Sequence, residues 1–237
     1  MTRRMLSLLG LVLGLASSPL AHAQDAPRDT TRPPETEPID VKVLRTIYDV
    51  DAVPFELAMR GVNASAYPIY LGAAPALWIG TLATGQDTRP ALDLTLSQGA
   101  NFGLTYALKN IVQRPRPYAS LSDIAARDRG HQGDEVFDPH SFPSGHTSSA
   151  FVIATSLSLS YPEWYVIAPA YTWATAMGLT RAWHGVHYPS DILVGAGIGT
   201  ASAFAVHFLV PIVLPTDDED DPLGSQAGVP ITLVIPL

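Results

Sequence analysis

The 237-residue chain contains no cysteine. That excludes disulfides, thiolate metal ligands and a thiol nucleophile, so covalent chemistry has to come from His, Ser, Asp, Lys or Arg, and stability from packing. Charge is scarce too: 15% of residues are charged against 47% apolar, which marks an unusually hydrophobic, compact protein rather than a disordered one. Positive charge is the scarcer sign, with 14 Lys and Arg against 22 Asp and Glu and a formal net charge of -8. A bare polyanion such as nucleic acid is therefore a disfavoured partner, and basic groups that matter must be local. Strand signal is nearly missing, since outside the last residues, "ITLVIPL" (231–237), the apolar periodicity is helical.

What is present divides into four segments. Residues 1–23 read as an export signal: Arg3 and Arg4, an apolar stretch from Met5 to Ala16, then Ala21-His22-Ala23 before Gln24 as a small-x-small cleavage site. The stretch is shorter than the roughly 20 residues of a membrane span, which argues against a retained anchor. Cleavage would take the formal charge from -8 to -10 and would place the remainder in the periplasm or the envelope membrane. Residues 24–40, "QDAPRDTTRPPETEPID", are Pro-rich and charged, a flexible leader. Residues 41–215 form the folded domain. Residues 216–237 combine an acidic run (Asp217, Asp218, Glu219, Asp220, Asp221) with the apolar tail; the run lacks the ligand spacing and glycine of an EF-hand, so it reads as a solvated linker.

Within the domain, 41–61 reads as two short amphipathic pieces broken at Pro54. Five longer helices follow, at 66–85, 91–113, 146–160, 164–180 and 191–214, so the expected fold is all-α, a bundle of about five to six core helices with a short extended C-terminal segment. The stretches 66–85 and 192–214 carry no Asp, Glu, Lys or Arg over lengths that could span a bilayer. Asp93, Ser97, Gln98 and Asn101 along one side of another helix, and the acid-rich loops that would face the cytoplasm, point the other way. Membrane-embedded and soluble bundles both stay open, because buried helices of a soluble bundle are just as apolar.

Three helix ends carry the chemistry. In "SFPSGHTSSAF" (141–151), Ser144 is a suitable N-cap and Gly145 lets backbone amides approach an anion, with His146 projecting at that cradle. "KNIVQRPRP" (109–117) places Lys109 and Arg116 seven apart; Pro115 and Pro117 put Arg116 on the loop that leaves the helix. In "TRAWHGVHYPSD" (180–191), Pro189 fits a first helical turn and Asp191 is near enough to accept from His187. Each block alone also reads as an ordinary helix terminus. Together they bring three cations, two histidines and a carboxylate to one end of a bundle, the set that phosphoryl transfer needs. His187 can attack phosphorus, with Asp191 holding its ring, and His146 can protonate the leaving oxygen. Nothing in this scheme calls for a metal or another cofactor.

These blocks, Lys109-x6-Arg116-Pro117, Pro143-Ser144-Gly145-His146 and Arg181-x5-His187-x3-Asp191, resemble the three signature motifs of the type 2 phosphatidic acid phosphatase (PAP2) and vanadium haloperoxidase superfamily, in order and with suitable gaps. The resemblance covers about residues 91–214. It implies a helical phosphatase in which His187 becomes a phosphohistidine, Asp191 orients it and His146 is the general acid. By the same likeness Lys109, Arg116, Ser144, Gly145 and Arg181 bind the phosphate. Thr180 departs from the family's usual Ser before the third-motif arginine, keeping a hydroxyl for a phosphate contact. His184 lies outside the motif and reads as lining or packing. The polar segment Tyr118 to His140 reads equally as a lid or a linker, with Tyr118, Arg127, Arg129, His131 and His140 near enough in sequence to reach a leaving group. The expected activity is hydrolysis of a phosphate monoester or pyrophosphate, above all a lipid phosphate of phosphatidate or polyprenyl diphosphate type, on the periplasmic side. A vanadate-dependent haloperoxidase or a catalytically silent envelope protein are the alternatives.

Overall fold

The computed structural model describes residues 37–127 and 139–213; the expected signal, most of the leader, Arg129, His131 and the C-terminal tail lie outside them. The described residues form eight helices: α1 (Ile39–Tyr48), α2 (Val53–Ala64), α3 (Ala66–Thr84), α4 (Arg89–Val112), α5 (Pro117–Ser120), α6 (Gly145–Ser160), α7 (Trp164–Trp183) and α8 (Pro189–Val213). The architecture is all-α, and the five long helices fall where the periodicity puts them. Helix α1 starts at Ile39, two residues before the expected onset of structure, which brings Asp40 into the fold.

Local chemistry sets the ends. Pro90 and Pro54 occupy first turns, where a missing N–H costs nothing. Gly85 closes α3 in the left-handed region at φ 66°, as a C-terminal glycine does. Gln113 takes the same conformation at φ 51° and stops α4, so Arg116 leaves the helix and sits at the start of α5. Ser144 caps α6, its side chain accepting from the Thr147 N–H.

Helix α6 packs against α8, α7 and α4. Its approach to α8 depends on two glycines four residues apart on one face. A Cβ on Gly195 would lie 2.6 Å from the Ser144 carbonyl oxygen, and one on Gly199 would collide with the Ser148 carbonyl. Small residues at that spacing let helix backbones touch, as in membrane helix pairs. The start of α6 is thereby brought against the start of α8, and the backbone N–H of Ser144 donates to the Asp191 carbonyl at 3.0 Å.

The interior is polar where the exterior is apolar. Asp93, Ser97, Asn101, Thr105 and Lys109, four residues apart along α4, are all buried. Leu71, Ile79, Phe102, Ile111, Leu193 and Phe208 are exposed, most of them by more than two thirds. The stretch Pro189–Pro211 is long and apolar enough to cross a membrane, with a mean hydropathy of 1.8, and only 28% of its most apolar window is buried.

Candidate active site

The three sequence blocks meet at one end of the bundle, joined by the backbone between them. The Ser141 N–H donates to the Arg114 carbonyl at 2.7 Å, tying the exit of α4 to the entry of α6, while Ser144 ties α6 to α8. Gly185 makes the link from α7 possible: its φ is 72°, and a Cβ there would lie 2.8 Å from the Ala125 carbonyl oxygen.

Lys109, in the last turn of α4, donates through Nζ to the His140 carbonyl at 2.9 Å. Arg116 is buried, with Nη1 donating to the Val186 carbonyl at 3.3 Å and lying 3.4 Å from His187 Nε2. Arg181, at the end of α7, donates to the Asn63 side-chain oxygen on α2. The charges of Lys109, Arg116 and Arg181 act on both His146 and His187. All the residues singled out by the motifs are therefore gathered in one region, and three cations surround two imidazoles.

His187 lies in the link between α7 and α8 and is 2% exposed. Its Nδ1 is 2.6 Å from the Ser141 carbonyl oxygen, which can only accept, so the neutral ring carries its proton on Nδ1 and a lone pair on Nε2, the nitrogen beside Arg116. Burial, then Arg116, Lys109 and Arg181, holds the imidazole well below its ordinary pKa, with the Ser141 carbonyl opposing. Asp191 Oδ2 lies 3.8 Å from Nδ1, an ion-pair distance and not a hydrogen bond, so the direct hydrogen bond on the ring is the one to the Ser141 carbonyl. Asp191 also receives Arg114 Nη1 at 2.7 Å and the Tyr188 N–H at 2.8 Å.

His146 stands edge-on to Tyr67 and Tyr70, with ring centroids 5.6 and 5.8 Å away, and the Tyr70 hydroxyl donates to its carbonyl at 2.7 Å. Beside it opens a cavity of about 470 Å³ whose wall includes Tyr67, Tyr70, Phe102, Tyr106, Lys109 and Gly145. His187, Arg116 and Arg181 are buried and not part of that wall. His146 thus lies on the side of the cations that faces the cavity.

The remaining residues singled out in the sequence take these places. The Thr180 hydroxyl donates to the Met59 carbonyl at 3.1 Å and lies 3.0 Å from His184 Nδ1, so it serves the α2–α7 contact and not a phosphate. His184 is buried against Trp183, 5.0 Å between centroids, in a packing role. Arg127 stacks over Tyr48 and Trp183 and donates to the Tyr48 carbonyl at 2.6 Å, which fixes that stretch of chain to α1. His140 contributes its carbonyl to Lys109 and lines the cavity. Sequence reasoning missed Asn63, Tyr70, Ser141, Arg114 and Asp40. Only Arg114 and Ser141 carried a signal, since they lie inside the quoted motif stretches.

Comparison with known proteins agrees with this geometry. The family model described as PAP2 superfamily matches residues 90–213, just over half of the chain. The decaprenylphosphoryl-5-phosphoribose phosphatase of Mycolicibacterium smegmatis is 35% identical over 153 residues, 61% of this chain and 77% of that protein. A lipid A 1-phosphatase of Porphyromonas gingivalis is 43% identical over 63 residues, and a lipid A 4'-phosphatase of Bacteroides thetaiotaomicron is 30% identical over 132. Those matches span 25% and 54% of this chain but only 14% and 57% of the two relatives. Among solved structures, Aquifex aeolicus LpxE superposes with a TM-score of 0.57 at 26% identity, covering 70% of this chain and 93% of that one. A transmembrane PAP2-type phosphatidylglycerolphosphate phosphatase from Bacillus subtilis shares the fold, with a TM-score of 0.56 at 23% identity over 71% of this chain and 82% of that one. With the three motifs assembled at one end of a helical bundle and a family match across α4 to α8, the chain belongs to the PAP2 superfamily.

Proposed function

We propose that this protein is a phosphoric ester hydrolase that removes phosphate from a lipid phosphate or pyrophosphate, from within a membrane. The observation that carries the reading is His187, whose Nδ1 is bonded to the Ser141 carbonyl and whose Nε2 lone pair faces Arg116. The cations and the N-terminal amides of α6 hold the phosphoryl oxygens. Nε2 attacks phosphorus, the bond to the ester oxygen breaks, and His146, on the cavity side and protonated once the bound phosphate dianion offsets the surrounding cations, gives its proton to that oxygen. His146 then takes a proton from the water that cleaves the phosphorus–nitrogen bond, which returns His187.

The lipid class is supported by the cavity's aromatic wall, by the exposed apolar flanks of α3, α4 and α8, and by relatives named for lipid A and decaprenylphosphoryl substrates. Helices α4 and α8, of 24 and 25 residues, are about 36 Å long, enough for a hydrocarbon core of about 30 Å. The export signal read at residues 1–23 puts the site on the periplasmic side.

The test is phosphate release by the purified protein in detergent with EDTA, from a diacyl phosphate, a polyprenyl diphosphate and a soluble aryl phosphate, with His187→Ala as the blank. Release from a lipid substrate that disappears in the variant is expected. Release from the aryl phosphate alone would overturn the lipid assignment, and equal release by the variant would overturn the nucleophile.

A further inference from the structure

The cavity beside His146 has two kinds of wall. Tyr67, Tyr70, Phe102 and Tyr106 give it aromatic faces, while Asn101 and Thr105, one helical turn apart on α4, add polar groups on the line that leads to Lys109. Asn101 is 2% exposed, and among the described residues its Oδ1 has no hydrogen-bond partner. An unmet buried amide costs folding stability, so its place against a cavity calls for a ligand that meets it. Thr105 points to the same ligand. Ser148 Oγ donates its single proton to the Gly145 carbonyl at 3.0 Å, so in the 3.2 Å contact between the Thr105 and Ser148 hydroxyls Thr105 is the donor. The Thr105 oxygen therefore keeps lone pairs for a further donor.

Spacing fixes where these groups stand relative to the phosphate. Along α4, Thr105 is about 6 Å and Asn101 about 12 Å from Lys109, all on one buried face. A phosphate ester held at Lys109, with its leaving group directed down the cavity, passes Thr105 and then Asn101 with aromatic rings at its sides. A bare hydrocarbon chain offers those two groups nothing. A hydroxyl satisfies both, because it donates to an oxygen and accepts from an amide N–H, and the soft terminal torsion of Asn lets either edge of the amide turn to the cavity. Aromatic walls pack on the C–H faces of a rigid hydroxylated ring. The stacked pair Phe102 and Tyr106, exposed on the outer face of α4, gives the lipid chain an apolar exit. Resting on the proposed hydrolase reading, we propose that Asn101 and Thr105 form a headgroup subsite that selects a phosphate carried on a sugar ring of a lipid over a phosphate joined directly to a hydrocarbon chain.

The experiment compares kcat/KM in detergent for three single-chain esters: dodecyl glucoside phosphorylated at its primary hydroxyl, dodecylglycerol phosphate and dodecyl phosphate. Each is measured with wild type, Asn101→Leu, Thr105→Val and Thr105→Ser. Wild type should favour the glucoside over dodecyl phosphate by about tenfold or more, since a site built to bond a hydroxyl discriminates strongly against an analogue without one. Asn101→Leu, similar in size and without polar side-chain atoms, should lower that ratio by about tenfold, with the loss on the glucoside larger in KM than in kcat. Thr105→Val should lower the ratio as well, and Thr105→Ser, which keeps the hydroxyl, should retain it. An equal loss on all three esters in Asn101→Leu would reduce the residue to a structural role and overturn the subsite, as would a wild type that hydrolyses dodecyl phosphate as well as the glucoside. A preference for the glycerol ester over the glucoside would overturn the sugar ring. Where Asn101→Leu does not fold, the two Thr105 variants decide by the same ratio. Release from dodecyl phosphate alone leaves the hydrolase reading standing while the subsite falls; no release from any ester sinks the hydrolase reading itself.

Discussion

At the scale of single residues, the behaviour of His187 follows from three contacts: a carbonyl on Nδ1, an arginine beside Nε2 and no solvent. Replacing it by alanine removes the proposed nucleophile from a link between helices, so we expect phosphate release to fall at least about a thousandfold with the circular dichroism spectrum unchanged. The pH dependence has a definite sign. The folded-state pKa of His187 is depressed by burial and then by Arg116, Lys109 and Arg181, so the acid limb of wild-type kcat/KM should lie below the ordinary value of about 6.5. Because the unfolded chain protonates first, this group's stabilising contribution is complete above about pH 6.5 and is lost as pH falls from there toward the folded value. Thermal melts at pH 7.5 and 5.5 should show that loss in wild type and less of it in His187→Ala. Tyr70→Phe removes the hydroxyl bonded to the His146 carbonyl, a loss of about 1 kcal/mol, and should lower kcat more than it raises KM.

At the scale of helices, the contact between α6 and α8 sets the distance between the amides at the start of α6 and the link that carries His187. Gly199→Ala places a methyl against the Ser148 carbonyl and should cost about 1–3 kcal/mol as the helices part, with activity falling alongside Tm. Gly197→Ala, which meets nothing within 4 Å, should leave both unchanged. On α4, Ser97 Oγ is buried without a hydrogen-bond partner, so Ser97→Ala should raise Tm by removing about 1 kcal/mol of unmet polarity. The helices themselves were legible because apolar periodicity, Pro at first turns and Gly85 at a C-terminus are local signals. The start of α1 was not. Asp40 closes a Pro-rich, charged segment that reads as leader, and only its long-range bonds to Arg114 and Ser190 give it a structural use.

For the whole molecule, the arrangement of polar and apolar surfaces supports the embedded bundle among the two that composition left open. Asp93 inside, bonded to Arg89 at 2.5 Å and to His207 at 3.0 Å, with Phe102 and Phe208 outside, is the distribution that a bilayer and not water favours. We expect the expressed protein to remain in the membrane pellet after alkaline carbonate washing and to need detergent for extraction; release into the wash would refute embedding.

By itself the sequence determined the helical class, the spans of the long helices and the membership of the three motifs, because each rests on spacing along one chain. The residues of the site were legible for the same reason, as ten identities in three short blocks. Tertiary structure alone decided the partners within the site. Asn63 against Arg181, Ser141 on His187, and Asp40 reaching Arg114 across 74 positions of sequence are encounters between different helices and links. A buried charge or imidazole takes whichever donor or acceptor folding brings within about 3 Å, and that choice is made by packing and not by local spacing.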